Sequence, residues 1–321
     1  RDGFFMISIS RMEIGNPMKL SAGADGSAGV AYADGNLMPI GEATVSVLDW
    51  GFSRSDVTYD VVHVWKGSFF RLDDHLDRFA RSCEGLRLNP GLDRNEIRDV
   101  LMACVRESRL QDAYVEMLCT RGVPTPGSRD PRDTINRFMA YAIPFVWVLN
   151  RPKQDEGARL HIADVPRIAS SSVDPTIKNF HWGDLTRALF QALDAGADTT
   201  VLVDAEGHIT EGPGFNVFAV KDGAVSTPDT GVLEGITRAS VRELCEDAGI
   251  SFSMTRLTAQ SLLGADEAFL SSTAGGIMPV SYINNRVLGM GRPGPLSRQL
   301  RERYWEKHER GWHATPVDYE N

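Results

Sequence analysis

Residues 174–183 read Asp-Pro-Thr-Ile-Lys-Asn-Phe-His-Trp-Gly and place Lys178 among apolar neighbours. Ile177, Phe180 and Trp182 all lie within four residues of this lysine. Apolar surroundings disfavour the charged ammonium, so a lysine held there supplies an amine nucleophile for Schiff-base chemistry. A solvated surface lysine is the alternative that this segment alone leaves open.

Two later segments have the composition of anion-binding loops. Residues 235–238 read Gly-Ile-Thr-Arg and open a predicted helix, where free backbone N–H groups and a hydroxyl suit a phosphate. Residues 273–276 read Thr-Ala-Gly-Gly after a predicted strand, and such small residues let the backbone approach an anion closely. The alternatives are an ordinary helix start capped by Thr237 and a flexible turn.

A basic and an acidic side chain complete the candidate set. Arg78 follows a helix start predicted at Asp73 or Asp74 and is a charged donor for a phosphate. Glu211 precedes the turn Gly-Pro-Gly-Phe-Asn of residues 212–216, where a carboxylate can face a ring nitrogen at short range. Both can instead be ordinary surface charges. An amine nucleophile, two phosphate-binding segments, an arginine and a carboxylate are together the set that pyridoxal 5′-phosphate (PLP) requires.

Composition and charge exclude several classes of protein. The 321 residues are 42% hydrophobic and 24% charged, which is typical of a globular chain long enough for two domains. The net charge of −9 argues against a general nucleic-acid or anionic-membrane binder, and no apolar run is long enough to span a membrane. No secretory signal is expected in residues 1–15. None of the four cysteines forms a CxxC pair, so we predict reduced thiols, no metal site and a cytoplasmic protein.

Alternating strand and helix patterns predict two mixed α/β domains with much antiparallel pairing. The smaller N-terminal domain spans 1–149, a polar interdomain linker spans 150–157, and the larger cofactor-binding domain spans 158–321. The predicted strands include Ala43–Leu48, and the strongest hairpin signal is an Asp-Gly turn at residues 222–223. No GxGxxG motif follows an early strand, which argues against a doubly wound nucleotide-binding fold.

These motifs together resemble one family, the fold-type IV PLP-dependent transaminases, which is the branched-chain and D-amino-acid aminotransferase group. Within it, the chain is most similar to the (R)-selective amine transaminases. The resemblance covers residues 28–315 and implies a two-domain fold of mixed α/β sheets, like that of D-amino-acid aminotransferases. The segments that carry it are 52–60, 64–78, 115–122, 174–183, 210–216, 231–238 and 272–279.

The resemblance also implies roles for individual residues. Lys178 corresponds to the lysine that forms the aldimine with PLP and shuttles the proton, and Glu211 to the partner of the pyridine nitrogen. Leu233 corresponds to the residue that packs on one face of the ring. Phosphate ligands are implied at Arg78, Ile236 (through its N–H), Thr237 and Thr273. Substrate-pocket residues are implied at Tyr59, Tyr114, Glu116, Trp182, Thr273 and Ala274.

Three arginines bear on substrate choice. Amine-selective relatives usually have a histidine where this chain has Arg54, and an extra guanidinium there favours a carboxylate substrate. The loop 122–130 is rich in Gly and Pro, and its Arg129 matches the loop arginine that binds the acceptor carboxylate in (R)-amine transaminases. A surface ion pair between Arg129 and a neighbouring aspartate is the alternative. Arg121 is the alternative to Arg129 for binding the acceptor carboxylate, but it lies at the end of a predicted strand and is expected to be structural.

The resemblance implies transfer of an amino group from an (R)-primary amine to a 2-oxo acid such as pyruvate, by a homodimer in which a partner subunit completes the site. The alternatives are a D-amino-acid or branched-chain amino-acid transaminase and, further removed, a PLP lyase of the aminodeoxychorismate lyase type. A cofactor-free Schiff-base aldolase and a non-enzymatic interaction module are disfavoured, because neither needs the two phosphate-binding segments.

Overall fold

The first sheet is built from the N-terminal half of the chain and one late strand. The structure is a computed structural model and describes residues 28–320, so residues 1–15, where no secretory signal is expected, lie outside it. The sheet has seven strands: β1 (Val30–Ala33), β2 (Asn36–Pro39), β3 (Val57–Trp65), β4 (Ser68–Phe70), β5 (Ala113–Thr120), β6 (Arg137–Pro144) and β15 (Ala314–Pro316). They are ordered β15-β4-β3-β5-β6-β1-β2, and every neighbouring pair is antiparallel.

The second sheet follows in the chain and mixes parallel with antiparallel pairs. Its strands are β7 (Ala158–Pro166), β8 (Thr199–Val203), β9 (Asn216–Lys221), β10 (Ala224–Pro228), β11 (Phe252–Thr255), β12 (Glu267–Ser272) and β13 (Gly276–Ile283), with the short β14 (Arg286–Val287) paired to β13. Their order is β11-β10-β9-β12-β13-β7-β8. One antiparallel sheet and one mixed sheet, joined by helices, agree with the predicted α/β class.

Helices pack against both sheets through apolar stripes at helical spacing. Within residues 28–320 the α-helices are α1 (Trp50–Arg54), α2 (Leu72–Leu86), α3 (Arg94–Ser108), α4 (Arg151–Glu156), α5 (Gly183–Asp194), α6 (Ile236–Asp247), α7 (Ala259–Leu263) and α8 (Pro295–Glu309), and a 3-10 helix spans Ile40–Glu42. Phe79 of α2 and Leu101 of α3 are buried against the first sheet. Leu244 of α6 and Leu300 of α8 belong to a buried cluster on the second sheet.

One predicted turn is present and one predicted strand is not. Asp222 and Gly223 both have positive φ and join β9 to β10 in the expected hairpin. The prediction of a strand at 43–48 is wrong, since these residues pair with no strand of the described chain. Their alternating pattern does not bury one face, because Val45 and Val47 are both exposed.

The start of α2 also differs from the prediction. The helix begins at Leu72, and its N-cap is Arg71, whose φ of 54° lies in the left-handed region. Asp73 and Asp74, the predicted caps, lie instead within the first turn. Carboxylates stabilise a helix there through its macrodipole, which explains why the predicted N-cap lies two or three residues after the observed one.

The chain crosses from one sheet to the other before the predicted linker. Residues 145–149 make the crossing, and most of 150–157 is the helix α4. Asn150 caps this helix by accepting from the Lys153 N–H at 3.0 Å, and Pro152 lies in its first turn. Asparagine and proline mark helix starts as well as linkers, so the polar composition was ambiguous. Within residues 28–320 no helix is long and apolar enough to cross a bilayer.

Candidate active site

A cleft of about 230 Å³ is lined by residues from both halves of the chain. The predicted site residues that line it are Tyr59, Arg78, Tyr114, Lys178, Trp182, Glu211, Leu233, Ile236, Thr237, Thr273 and Ala274. Three predicted residues, Glu116, Arg54 and Arg129, are not part of its lining. The fold thus brings together most of a set that is spread over more than two hundred residues of sequence.

Lys178 is half-buried and is held by the N-terminal half of the chain. Its backbone carbonyl accepts from Thr58 Oγ1 at 2.6 Å, and its N–H donates to Ser82 Oγ at 3.3 Å. Thr58 is on β3 and Ser82 on α2. The side-chain Nζ lies 4.1 Å from the centre of the Tyr59 ring. An ammonium is attracted to this electron-rich face, and no carboxylate of residues 28–320 forms an ion pair with it.

Arg78 is fixed at the cleft wall by a buried carboxylate. Its Nε and Nη2 donate to the two oxygens of Asp60 at 2.7 and 2.8 Å, and its Nη1 donates to the Glu234 carbonyl at 3.1 Å. His75 Nδ1 lies 2.8 Å from the same carboxylate. Burial would raise the pKa of Asp60, but the Arg78 charge and hydrogen bonds hold that pKa well below its usual range. The bidentate pair therefore fixes the Arg78 guanidinium, a charged donor of the kind that suits a phosphate, at the cleft wall.

The N-terminus of α6 presents backbone N–H groups to the same cleft. Gly235 is its N-cap, and no side chain of residues 28–320 caps the first turn. A Cβ on Gly235 would lie 2.0 Å from Asn216 Oδ1, so the close approach of these two segments requires glycine. Ile236 and Thr237 are buried in that first turn and line the cleft. Uncapped N–H groups at the positive end of a helix form an anion site.

Glu211 lies on the lining at only 8% exposure, with both carboxylate oxygens bonded. Arg167 Nη2 donates to Oε1 at 3.1 Å, and the Leu233 N–H donates to Oε2 at 2.9 Å. Arg167 Nη1 also donates to Asp184 at 2.7 Å. Burial raises the pKa of Glu211, and the Arg167 charge opposes this rise. The hydrogen bonds from Arg167 and Leu233 hold the carboxylate in one place, where it can accept from a protonated ring nitrogen.

The loop after β12 is tied to the crossing segment. Ser272 Oγ donates to the Gly214 carbonyl at 2.8 Å and accepts from the Ala274 N–H at 3.1 Å. The Ala274 carbonyl accepts from the Val148 N–H at 2.7 Å. Ser271 Oγ is buried at the lining and has no hydrogen-bond partner among the described residues. A buried hydroxyl without a partner is a group that a bound polar ligand can satisfy.

Glu116 is buried beside the lining residue Tyr114. The Tyr114 hydroxyl donates to Glu116 Oε2 at 3.2 Å. Burial raises the pKa of Glu116, while a hydrogen bond from Tyr141 and the nearby Lys178 charge oppose this rise. The Glu116 carboxyl therefore contributes no positive charge that could attract a substrate carboxylate to this side of the cleft.

The two arginines predicted to bind substrate carboxylates lie outside the lining. Arg54 is exposed, and its guanidinium lies 3.6 Å from the centre of the Trp50 ring. Arg129 is exposed and makes no ion pair with any residue in the range 28–320. Its neighbour Asp130 is bonded instead by Arg132, whose Nε donates at 2.9 Å. The alternative of an Arg129–aspartate pair is therefore not present.

Several charged groups around the cleft were missed by sequence reasoning. Asp60 and His75 support Arg78, and Arg167 and Asp184 surround Glu211. Asp60 had a usable signal, because a carboxylate inside an apolar strand must find a partner when it is buried. Arg167 had none, since its partner Glu211 is 44 residues away in sequence. Arg121 donates to both oxygens of Asp56, which matches its expected structural part.

The donor set of this cleft fits PLP. Arg78, the uncapped start of α6 and the hydroxyl of Thr237 suit the phosphate, and Glu211 suits the pyridine nitrogen. Lys178 supplies the amine that reacts with an aldehyde. The unsatisfied Ser271 hydroxyl and the free helix N–H groups are polar atoms that such a ligand would bond.

Known proteins resemble this chain over most of its length. It is 33% identical over 276 residues to a Methanocaldococcus jannaschii protein provisionally named a branched-chain-amino-acid aminotransferase, covering 85% of this chain and 94% of that one. It is 30% identical to the D-alanine aminotransferase of Staphylococcus haemolyticus, covering 84% and 95%. The crystal structure of the Thermobaculum terrenum branched-chain amino acid aminotransferase in its PLP form superposes with a TM-score of 0.81 at 28% identity, covering 91% and 99%.

The family described as "Amino-transferase class IV" matches residues 58–283, which include β3, the Lys178 segment and the loop after β12. The match spans more than two thirds of the chain and contains the residues that build the cleft. By sequence, fold and site chemistry, the chain belongs to the class IV aminotransferases, and the predicted fold type, transaminase activity and PLP cofactor are confirmed.

Proposed function

We propose that this enzyme transfers the amino group of an (R)-primary amine to a 2-oxo acid such as pyruvate. One observation carries the proposal: in the described cleft, each lining arginine is already paired. Arg78 binds Asp60, and Arg167 binds Asp184 and Glu211. The carboxylate of an amino-acid donor therefore finds no uncommitted cation in the described lining, because Arg78 is assigned to the cofactor phosphate and Arg167 is already neutralised by two carboxylates.

The rest of the lining supports an apolar donor. Val61, Trp147, Val148, Ile177 and Leu185 contribute to its wall. Such a surface stabilises a phenyl or alkyl group by removing it from water. The buried carboxyl beside Tyr114 adds no attraction for an acid. The (R) preference rests on the resemblance to the (R)-selective amine transaminases.

The residues of the cleft divide the work of transamination. When bound, PLP supplies the electron sink for the reacting carbon. Lys178 Nζ is the nucleophile and the group that moves the proton, since it is the lysine of the lining. Glu211 keeps a proton on the ring nitrogen, and Arg167 holds Glu211 in position. Arg78 and the first turn of α6 bind the phosphate and so fix the orientation of the ring.

The acceptor needs a cation that the amine donor does not need. We assign this role to Arg129, which is exposed on the loop between β5 and β6 and is not committed to a described carboxylate. A loop arginine can approach for a 2-oxo acid and withdraw for an apolar group. Arg54 is the second candidate, although its guanidinium is stacked on Trp50.

A D-amino-acid or branched-chain amino-acid transaminase is the alternative function. The names of the relatives favour it, since they are branched-chain and D-alanine aminotransferases. In that case the donor carries a carboxylate as the acceptor does. Arg54 or Arg129 would then be required to bind both substrates.

Single-turnover spectroscopy of the holoenzyme tests the proposal. The absorbance of the bound cofactor is followed after mixing with (R)- or (S)-1-phenylethylamine, D-alanine or L-leucine, without acceptor. We expect the (R)-amine to react fastest. Faster reaction with D-alanine or L-leucine than with either amine would assign the alternative function, and pyruvate release without an acceptor would indicate a lyase.

We further propose that the enzyme is a cytoplasmic homodimer. Its four cysteines are free thiols, which suit a reducing compartment. Val47, Leu48, Phe52 and Ile135 are each at least 65% exposed, and the Trp50 N–H donates to Gly122, so that these loops adjoin at one end of the first sheet. Large exposed apolar groups of this kind are typical of subunit contacts. Sedimentation velocity should show a dimer that Phe52→Asp weakens.

A further inference from the structure

Three tryptophans from three parts of the chain meet beside the cleft. Trp65 ends β3, Trp147 lies in the crossing segment and Trp305 lies on α8. Their ring centres are 6.1 Å apart for Trp65 and Trp147, 4.7 Å for Trp65 and Trp305, and 6.0 Å for Trp147 and Trp305. We call this cluster the tryptophan triad. It joins the first sheet, the crossing segment and the last helix.

One arginine covers the whole triad. The Arg151 guanidinium lies 5.0 Å from the Trp65 ring centre and 5.4 Å from those of Trp147 and Trp305. Its side chain has no hydrogen bond or ion pair with a residue between 28 and 320. A guanidinium within about 6 Å of an indole face is attracted by the ring quadrupole. Apart from a longer-range attraction to the Glu309 carboxylate, the interactions that position the Arg151 guanidinium are therefore its contacts with the triad.

The triad also has a direct connection to the substrate site. Trp147 belongs to the triad and to the lining of the cleft, together with Val146 and Val148. The Val148 N–H donates to the Ala274 carbonyl at 2.7 Å, in the loop that also carries Thr273. A displacement of Trp147 would therefore move an apolar wall of the cleft and the backbone that anchors the loop.

We propose that Arg151 is a positioning residue for substrate selection: by holding Trp147 in the triad, it sets the position of the 146–148 wall and so favours donors with a large apolar substituent over small ones. This rests on the proposed function, in which the donor is bound by apolar contacts. A small donor leaves the wall untouched, whereas a phenyl group needs it in place.

A matched contact elsewhere in the chain separates this role from simple stabilisation. Arg159 lies 4.4 Å from the ring centre of Tyr282, so it makes the same kind of cation–π contact. Neither residue of that pair lines the cleft. Loss of Arg159 should remove a similar stabilising contact without altering the wall.

The experiment compares Arg151→Met with Arg159→Met, each as the PLP-loaded enzyme with saturating pyruvate. Donors are (R)-1-phenylethylamine and the smaller (R)-2-aminobutane. Arg151→Met should raise KM for the phenyl donor by about five- to tenfold and leave kcat within about twofold, the pattern of lost uniform binding. The KM for 2-aminobutane should change by less than about twofold. Arg151→Lys, which keeps a cation over the rings, should recover part of the effect.

Three results would overturn the proposal: equal KM increases for both donors, the same change in Arg159→Met, or no change for the phenyl donor in Trp147→Ala. Tryptophan emission provides a second readout that should shift in Arg151→Met and not in Arg159→Met. If the wild type uses amino acids rather than amines, phenylalanine and alanine of the preferred configuration replace the two donors. The proposed function then fails by itself, and the ratio of KM changes still decides the role of Arg151.

Discussion

The cofactor end of the cleft and the loops outside its lining hold their cations in opposite ways. At the cofactor end, Arg78 is buried against Asp60, and Arg167 is buried between two carboxylates. On the outer loops, Arg54 and Arg129 are exposed and neither has a carboxylate partner among the described residues. A buried cation must be neutralised and becomes rigid, whereas an exposed one remains free to rearrange. The proposed reaction, with one cofactor and two dissimilar substrates, needs both kinds.

The largest loss of activity is expected for Lys178, the lysine of the cofactor end, which forms no ion pair with the described part of the chain. The other described lysines, in contrast, all form ion pairs: Lys66, Lys153, Lys221 and Lys307. Lys178→Ala should lower turnover by at least about a thousandfold, because nucleophile and proton carrier are lost together. Lys153→Ala is the control and should keep wild-type activity.

Peptide mapping checks the same assignment independently. Borohydride reduction of the holoenzyme should attach a pyridoxyl group to Lys178. A modified peptide containing any other lysine would contradict the role given to Lys178 and with it the assignment of this end of the cleft to the cofactor.

The fixed carboxylate of the cofactor end should give the next largest effect. Glu211→Gln removes the charge that keeps the ring nitrogen protonated, and single-turnover proton transfer should slow by about a hundredfold or more. Arg167→Met keeps the Glu211 carboxylate but removes the hydrogen bond that positions it. The rate of proton transfer in this variant should therefore fall less, by roughly tenfold. Equal rates in wild type and Glu211→Gln would remove this carboxylate from the mechanism. A larger loss in Arg167→Met than in Glu211→Gln would show that Arg167 acts on its own.

At the outer loops the effect should appear in one half-reaction only. Arg129→Ala should raise the KM for pyruvate by about ten- to a hundredfold, as expected for a lost charged hydrogen bond. The half-reaction with a hydrophobic amine should be unchanged. Arg54→Ala is the matched variant, and we expect little effect from it because Arg54 is stacked on Trp50. If Arg54→Ala impairs pyruvate and Arg129→Ala does not, the carboxylate site belongs to Arg54 and the enzyme is acid-selective.

The smallest effect concerns one buried and one half-buried imidazole that face each other with no carboxylate partner among the described residues. His63 Nε2 on β3 lies 3.2 Å from His308 Nε2 on α8. Burial lowers the pKa of His308 from 6.5 to about 4 and also lowers that of His63 well below its usual value. Both rings are therefore neutral in the folded protein at a pH where unfolded histidine already binds a proton.

The sign of the pH dependence follows from this difference. The contribution of the pair to stability is fully present above pH 6.5 and is lost as the pH falls towards 4. Urea unfolding across this range should show a loss of about 1–3 kcal/mol. His308→Phe removes one of the titrating groups, so its free energy of unfolding should depend less on pH. An equal slope in this variant would assign the acid sensitivity to other groups.

The features that the sequence predicted are those whose signal is local. The Lys178 segment, Glu211 before its turn and the Asp-Gly hairpin each lie within about ten residues. The partners of these residues were not predictable, because Arg78–Asp60 and Arg167–Glu211 are formed only when distant elements pack together. The strand predicted at 43–48 failed for a related reason. Alternation describes a strand only if another strand pairs with it, and that is decided by the whole sheet.

The last strand has a consequence for how this protein is made. β15 pairs with β4 at the edge of the first sheet, with Thr315 opposite Phe69, and Tyr319 donates to the Leu110 carbonyl. During synthesis, the β4 edge therefore remains open until residues 314–319 have left the ribosome. Open edges template aggregation, so the nascent N-terminal half carries this hazard through most of translation. Slow translation or premature termination near residue 310 should accordingly reduce correct folding of the first sheet, although the other strands of that sheet are all synthesised by residue 144.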